Sequence, residues 1–128
     1  MSEQPEKPSI LVIDDDWVNR ELMETVLKRG GYTVTTANTG HSGIQAVAQL
    51  VPQLVIVDLR LPDMNGVEVI QAIRAMDLPH PVRIVVMSAM DRDTVSAQVV
   101  EAGADMFISK VFQVSDLLTK LKGLLQSG

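Results

Sequence analysis

Five short apolar runs punctuate the chain, each followed by a stretch in which apolar residues recur at helical spacing. Ser9 to Ile13 is β-branched, apolar on both faces and too brief for a helix, so it predicts a central parallel strand that stops at Asp14. From Trp17 onward, Val18, Leu22, Met23, Val26 and Leu27 predict a helix, with Asp16 as its cap and Gly30-Gly31 at its end. Tyr32 to Ala37, where Val34 is flanked by threonines, reads as a more polar strand near the sheet edge. Thr39, Gly40 and Ser42 then open a helix bearing Ile44, Val47, Ala48 and Val51 and closed by Pro52.

The run Leu54 to Asp58 ends on a carboxylate, and Pro62, Asp63, Asn65 and Gly66 turn the chain into a helix over Val67 to Met76, with Val67, Ile70 and Ile73 inward. Leu78-Pro79-His80-Pro81 breaks the chain before a buried strand, Val82 to Met87, which ends at Ser88. Asp91 or Asp93 is placed to cap a fourth helix carrying Val95, Val99 and Ala102, with Gly103 as its C′ residue. Asp105 to Ser109 is a fifth strand ending at Lys110. The last helix aligns Val114, Leu117, Leu118, Leu121, Leu124 and Leu125 on one stripe, leaving Lys120 and Lys122 on an outer face that is a candidate partner surface.

Five strands alternating with five helices predict an α/β fold: a five-stranded parallel sheet with helices on both faces. Right-handed crossovers bring every strand's carboxyl end to one rim, where open α/β sheets bind ligands. At 128 residues the chain makes one domain, residues 9–126, behind a polar, proline-containing lead-in over residues 1–8. Such a domain buries roughly 65 to 70% of its unfolded surface and needs no structural metal or disulfide.

Charge and composition narrow the chemistry. Eleven basic against sixteen acidic residues give a formal charge of −5, which lacks the positive field that direct nucleic-acid binding requires. There is no cysteine, hence no thiol redox chemistry and no thiolate metal site. No apolar run approaches the roughly 20 residues that span a membrane, and the lead-in has no signal-peptide character, so the expected location is the cytoplasm.

The rim itself holds the candidate chemistry. Asp14 and Asp15 follow the first strand, Asp58 ends the third, Ser88 the fourth and Lys110 the fifth. Three carboxylates at about 5 Å repel by roughly 3 kcal/mol per pair at an effective dielectric of 20, so they call for protons or a counter-ion. Hard oxygen donors suit Mg²⁺, which takes one or two carboxylates and phosphate oxygens. An aspartate so placed accepts a phosphoryl group when a metal, a cation and a hydroxyl hold the transferring oxygens. Asp58, Lys110 and Ser88 are of the right types. Against these readings, acids after a strand also cap helices, Asp16 has that role alone, and Trp17 beside the rim is expected to pack on it. His41 and His80 lack a second ligand at metal spacing and read as surface residues.

Taken together, Ile13-Asp14-Asp15-Asp16, Asp58 with Leu61-Pro62 and Gly66, Met87-Ser88-Ala89, Ala102-Gly103-Ala104, and Lys110 with Phe112 resemble the receiver domains of two-component response regulators over essentially the whole chain. The resemblance implies strand order 2-1-3-4-5, a flavodoxin-like doubly wound sheet, and phosphorylation of Asp58 from a sensor histidine kinase or phosphotransfer protein. It implies Mg²⁺ held by Asp15, Asp58 and the backbone carbonyl of Arg60, with Asp14 acting through water. Ser88 and Lys110 would meet the phosphate, Phe107 would change rotamer with Ser88, and the chain would catalyse its own phosphoryl transfer without being a conventional enzyme. The downstream partner would dock on the fourth helix, fifth strand and last helix of a monomer or weak dimer. Val111 departs from the family, which has proline after the lysine in a cis peptide; a cis bond before a non-proline costs about 3 kcal/mol, so either that strain is retained or, as expected here, the Lys110 loop is rearranged. Two other readings stay open: a phosphorylation-independent interaction module of the same fold, and a small aspartate-dependent phosphohydrolase, against which Arg60 stands where such enzymes carry a second acid.

Overall fold

The two-residue alternation along each strand decides which face of the sheet a side chain meets. In the computed structural model, which describes residues 8–88, 98–110 and 112–126, β1 (Ser9–Ile13), β2 (Thr33–Ala37), β3 (Leu54–Asp58), β4 (Arg83–Ser88) and β5 (Met106–Ser109) form one parallel sheet. Its order is β2-β1-β3-β4-β5. The helices are α1 (Trp17–Arg29), α2 (Gly40–Leu50), α3 (Gly66–Arg74), a fourth helical stretch α4 over 98–102, and α5 (Val114–Gln126).

Alternation splits the core into two layers. Leu11, Ile13, Val55, Val57, Ile84 and Val86 face the side covered by Val47 of α2, Val69, Ile70 and Ile73 of α3 and Val99 of α4. Ile10, Val12, Leu54, Ile56, Val85, Met87 and Ile108 face the other side, covered by Met23, Val26 and Leu27 of α1 and Leu117 and Leu121 of α5. With both faces covered, β1, β3 and β4 are apolar without alternation, whereas edge strand β2 exposes Thr33 and Thr35. The doubly wound architecture expected from the sequence is the one observed.

Several helix details differ from the sequence reading. The buried stripe of α1 is Met23, Val26 and Leu27, and the exposed C-cap Gly30 lies close to Leu118. Val18 and Leu22 sit one residue, about 100° of rotation, off that stripe and are exposed at 63% and 46%. Trp17 does not pack on the rim: it is 65% exposed in the first turn of α1, which begins beyond the tip of β1. In α3, Val69 is buried and Val67 only partly. Ala48 is exposed, and Val51 is not part of α2 but its left-handed C-cap, with φ +44°. In α5, Val114 is 46% exposed, while Leu118, Leu124 and Leu125 are partly buried. The expected caps at Asp91 or Asp93, the Lys110-Val111 peptide and most of the lead-in lie outside the described residues.

The ends of the elements are fixed by specific donors and acceptors. Asp16 accepts from Val18 N at 3.1 Å, as its predicted cap role requires. Gly103 adopts φ +113°, a conformation that a side chain would strain, and ends α4 as predicted. At the rim opposite Asp58, the Arg74 guanidinium donates to Gly103 O (2.9 Å), Val82 O (2.6 Å) and Asp105 Oδ2 (2.8 Å). That oxygen also accepts from Ile84 N at 2.8 Å, so one side chain ties α3 to the starts of β4 and β5.

Candidate functional site

Register and alternation place the polar tips. Ile13 pairs with Val57 and Asp58 with Met87, while Met87 pairs with Ile108, so the carboxyl ends of β1, β3, β4 and β5 lie side by side. Asp14, Asp58 and Lys110 each continue the alternation that faces α1 and α5, whereas Ser88 and Phe107 fall on the other alternation. β3 and β5 are separated by β4, about 9.5 Å at two strand spacings. The long lysine stem bridges that gap: Lys110 Nζ lies 2.8 Å from Asp58 Oδ2 and 3.6 Å from Asp14 Oδ2.

Asp14 is held from several directions. Its N–H donates to Ala37 O at 3.0 Å, and its Oδ1 accepts from Asp16 N at 2.9 Å. Asn19 Nδ2 donates to Oδ2 at 3.2 Å and Arg20 Nη1 to the main-chain carbonyl at 2.8 Å. The sequence reading missed Asn19 and Arg20; the available signal was their place in the first turn after the acidic run. Asp58 Oδ1 accepts from Arg60 N at 3.2 Å.

Asp14 and Asp58 are buried and Asp15 is exposed, yet one oxygen of each lies within 4.8 Å of the other two. Among the described residues, Lys110 is the one cation paired with these carboxylates. Three negative groups against one ammonium leave an excess that an oxygen-liganded divalent cation would neutralise, so the donor set fits such an ion. Burial pushes the Asp58 carboxyl above the ordinary aspartate range, opposed by the Lys110 and Arg60 hydrogen bonds and the Lys110 charge, and reinforced by Asp14. Burial pulls on Lys110 in the neutral direction, but its hydrogen bond to Asp58 and the charges of Asp58 and Asp14 win and raise it above the ordinary lysine value.

The remaining residues singled out from the sequence are spread over several elements. Ser88 is buried at 2%, and its carbonyl accepts from Lys110 N at 3.1 Å, linking the tips of β4 and β5. Phe107 pairs with Val86 and packs partly buried against the α2–α3 side of the core. Arg60 is exposed and bridges to Asn65, closing the loop between β3 and α3. His41 and His80 are both exposed, as expected, but His41 Nδ1 lies 2.7 Å from Asp63 Oδ2.

A sheet of this order with acids, a hydroxyl and a lysine on its carboxyl rim defines the response-regulator class of α/β domain. The family profile described as response regulator receiver domain matches residues 10–122, and the chain belongs to that family. It is 36% identical over 117 residues to the transcriptional regulatory protein KdpE of Mycobacterium tuberculosis, covering 91% of this chain and 50% of KdpE. The DNA-binding dual master transcriptional regulator RpaA of Synechocystis is 32% identical over 119 residues, covering 93% of this chain and 49% of RpaA. The chain thus spans about half the length of these relatives. Among solved structures, a putative response regulator from Chloroflexus aurantiacus superposes with a TM-score of 0.88 at 28% identity, covering 94% of this chain and 98% of the other.

Proposed function

We propose that this receiver domain is a phosphorylation switch whose acceptor is Asp58. The observation that carries the reading is the Asp58 carboxylate, buried at a strand tip within a three-acid cluster and 2.8 Å from the Lys110 ammonium. An Asp58 oxygen attacks the phosphorus of a phosphohistidine; the O–P bond forms as the P–N bond breaks, and the donor imidazole keeps the electron pair. The donor is a sensor histidine kinase or a phosphotransfer protein. Asp15, Asp58 and the Arg60 carbonyl would hold Mg²⁺, with Asp14 assisting through water, and the ion when bound would supply charge neutralisation for the transferring oxygens.

Once formed, the phosphate attracts Lys110 and the Ser88 hydroxyl, and Phe107 follows Ser88 inward. Driving a population from 1:99 to 99:1 takes about 5.5 kcal/mol of differential binding, within reach of a few charge-assisted hydrogen bonds at roughly 1.5 to 3 kcal/mol each. The readout is a protein partner on α4, β5 and α5. The domain works in the cytoplasm as a monomer or weak dimer and, at −5, without touching nucleic acid itself.

Incubation with acetyl phosphate and Mg²⁺ followed by intact-mass analysis tests the reading. The native chain is expected to gain one phosphate, abolished in Asp58→Ala; a native chain that stays unmodified overturns it.

A further inference from the structure

The loop that follows Asp58 is fastened to a helix that takes no part in the cluster. Asp63 Oδ1 accepts from Gly40 N at 2.8 Å, and Asp63 Oδ2 accepts from His41 N at 2.9 Å and meets His41 Nδ1 at 2.7 Å. The next two amides of α2 are already satisfied locally: Ser42 N donates to Thr39 Oγ1 and Gly43 N to Thr39 O, each at 3.0 Å. The first two amides are therefore capped from 22 and 23 residues away. The first turn of α2 has no acid of its own, so Asp63 also supplies the negative charge that a helix start favours. Apolar contact seals the same joint, since a Cβ at Gly40 would overlap the Met64 side chain.

Between this joint and Asp58 lies the segment that shapes the acceptor. Arg60 N donates to Asp58 Oδ1, Gly66 N donates to Leu59 O at 2.8 Å, and Arg60 bridges to Asn65. The loop is thus closed at its base by its own backbone and held at its apex by Asp63. We propose that Asp63 is a positioning residue, whose clamp on the start of α2 fixes the β3–α3 loop so that Arg60 is presented to the acceptor and to its divalent ion. The inference rests on the phosphoacceptor reading for its consequence, but the clamp is a property of the metal-free chain. The two α2 amides hold the Asp63 carboxyl below the ordinary aspartate range, so it is ionised and a strong acceptor at neutral pH.

The test compares native protein with Asp63→Ala, Asp63→Asn, which keeps one acceptor oxygen, Arg74→Met, which weakens the opposite rim, and Asp58→Ala, which removes the acceptor. In metal-free protein, amide hydrogen exchange followed by NMR is expected to accelerate at Arg60 and Gly66 in Asp63→Ala. Isothermal titration calorimetry with Mg²⁺ is expected to show a dissociation constant raised about tenfold in Asp63→Ala. Asp63→Asn falls between native and Asp63→Ala, and Arg74→Met leaves both readouts at native values. Unchanged exchange and Mg²⁺ affinity in Asp63→Ala overturns the proposal, as does an equal loss of affinity in Arg74→Met, which would make the effect one of global stability. If native protein shows no Mg²⁺ affinity that depends on Asp58, the phosphoacceptor reading fails, while accelerated exchange in Asp63→Ala still bears out the clamp.

Discussion

At Asp58 the cost of burying a charge outweighs the partners that favour it, and this sets the pH behaviour of the site. Its carboxyl titrates near 3.8 when unfolded and higher when folded, so the native state binds more protons across that window. The Asp58 contribution to stability therefore falls as pH rises from 3.8 through the folded value and stays low above it. We expect Asp58→Asn to melt above the native protein at pH 7 in metal-free buffer, the gap closing toward pH 3.8, as differential scanning calorimetry would show. Lys110 has the complementary sign: its raised value means stability present below the unfolded 10.5 and lost only in stronger alkali. Lys110→Met removes the cation that spans from β5 to Asp58, and phosphate uptake from acetyl phosphate should slow by about 10²-fold. The types and positions of both residues were legible in the sequence. That Lys110 sits closer to Asp58 than to Asp14 was not, because it depends on how three strand tips far apart in the chain are set against one another.

Among the described residues, the periodic stripes predicted the helices and strands, and most errors concerned which residues of a helix face inward. Val18 and Leu22 lie beside the α1 stripe, and Val69 rather than Val67 carries α3, because a broad apolar face leaves the contact line to the packing partner. Two element-scale predictions follow from contacts that no stripe encodes. A Cβ at Gly66 would meet Asp58 O at 2.8 Å and Leu59 Cα at 2.9 Å, both backbone. Gly66→Ala should cost roughly 1 to 3 kcal/mol in urea denaturation by forcing α3 away from β3, and should weaken Mg²⁺ binding as well. Arg74→Met, losing three hydrogen bonds from a side chain 32% exposed, should cost about 2 kcal/mol with Mg²⁺ affinity unchanged.

For the molecule as a whole, an ion held by the rim acids would link binding to folding. An ion that binds only the native state at 100 times its dissociation constant adds about 2.7 kcal/mol, roughly 10 °C in melting temperature for a chain of this size. Thermal unfolding with and without Mg²⁺ should show that rise in native protein and little of it in Asp15→Ala. The doubly wound sheet and the side chains at its strand ends were determined by the sequence alone, since apolar period and turn residues are local properties. Tertiary structure decided what those ends do to one another: the 4.8 Å cluster of Asp14, Asp15 and Asp58, the reach of Lys110 across β4, and the grip of Asp63 on α2. Such distances arise from register and layer packing between segments tens of residues apart, and local patterning carries no record of them.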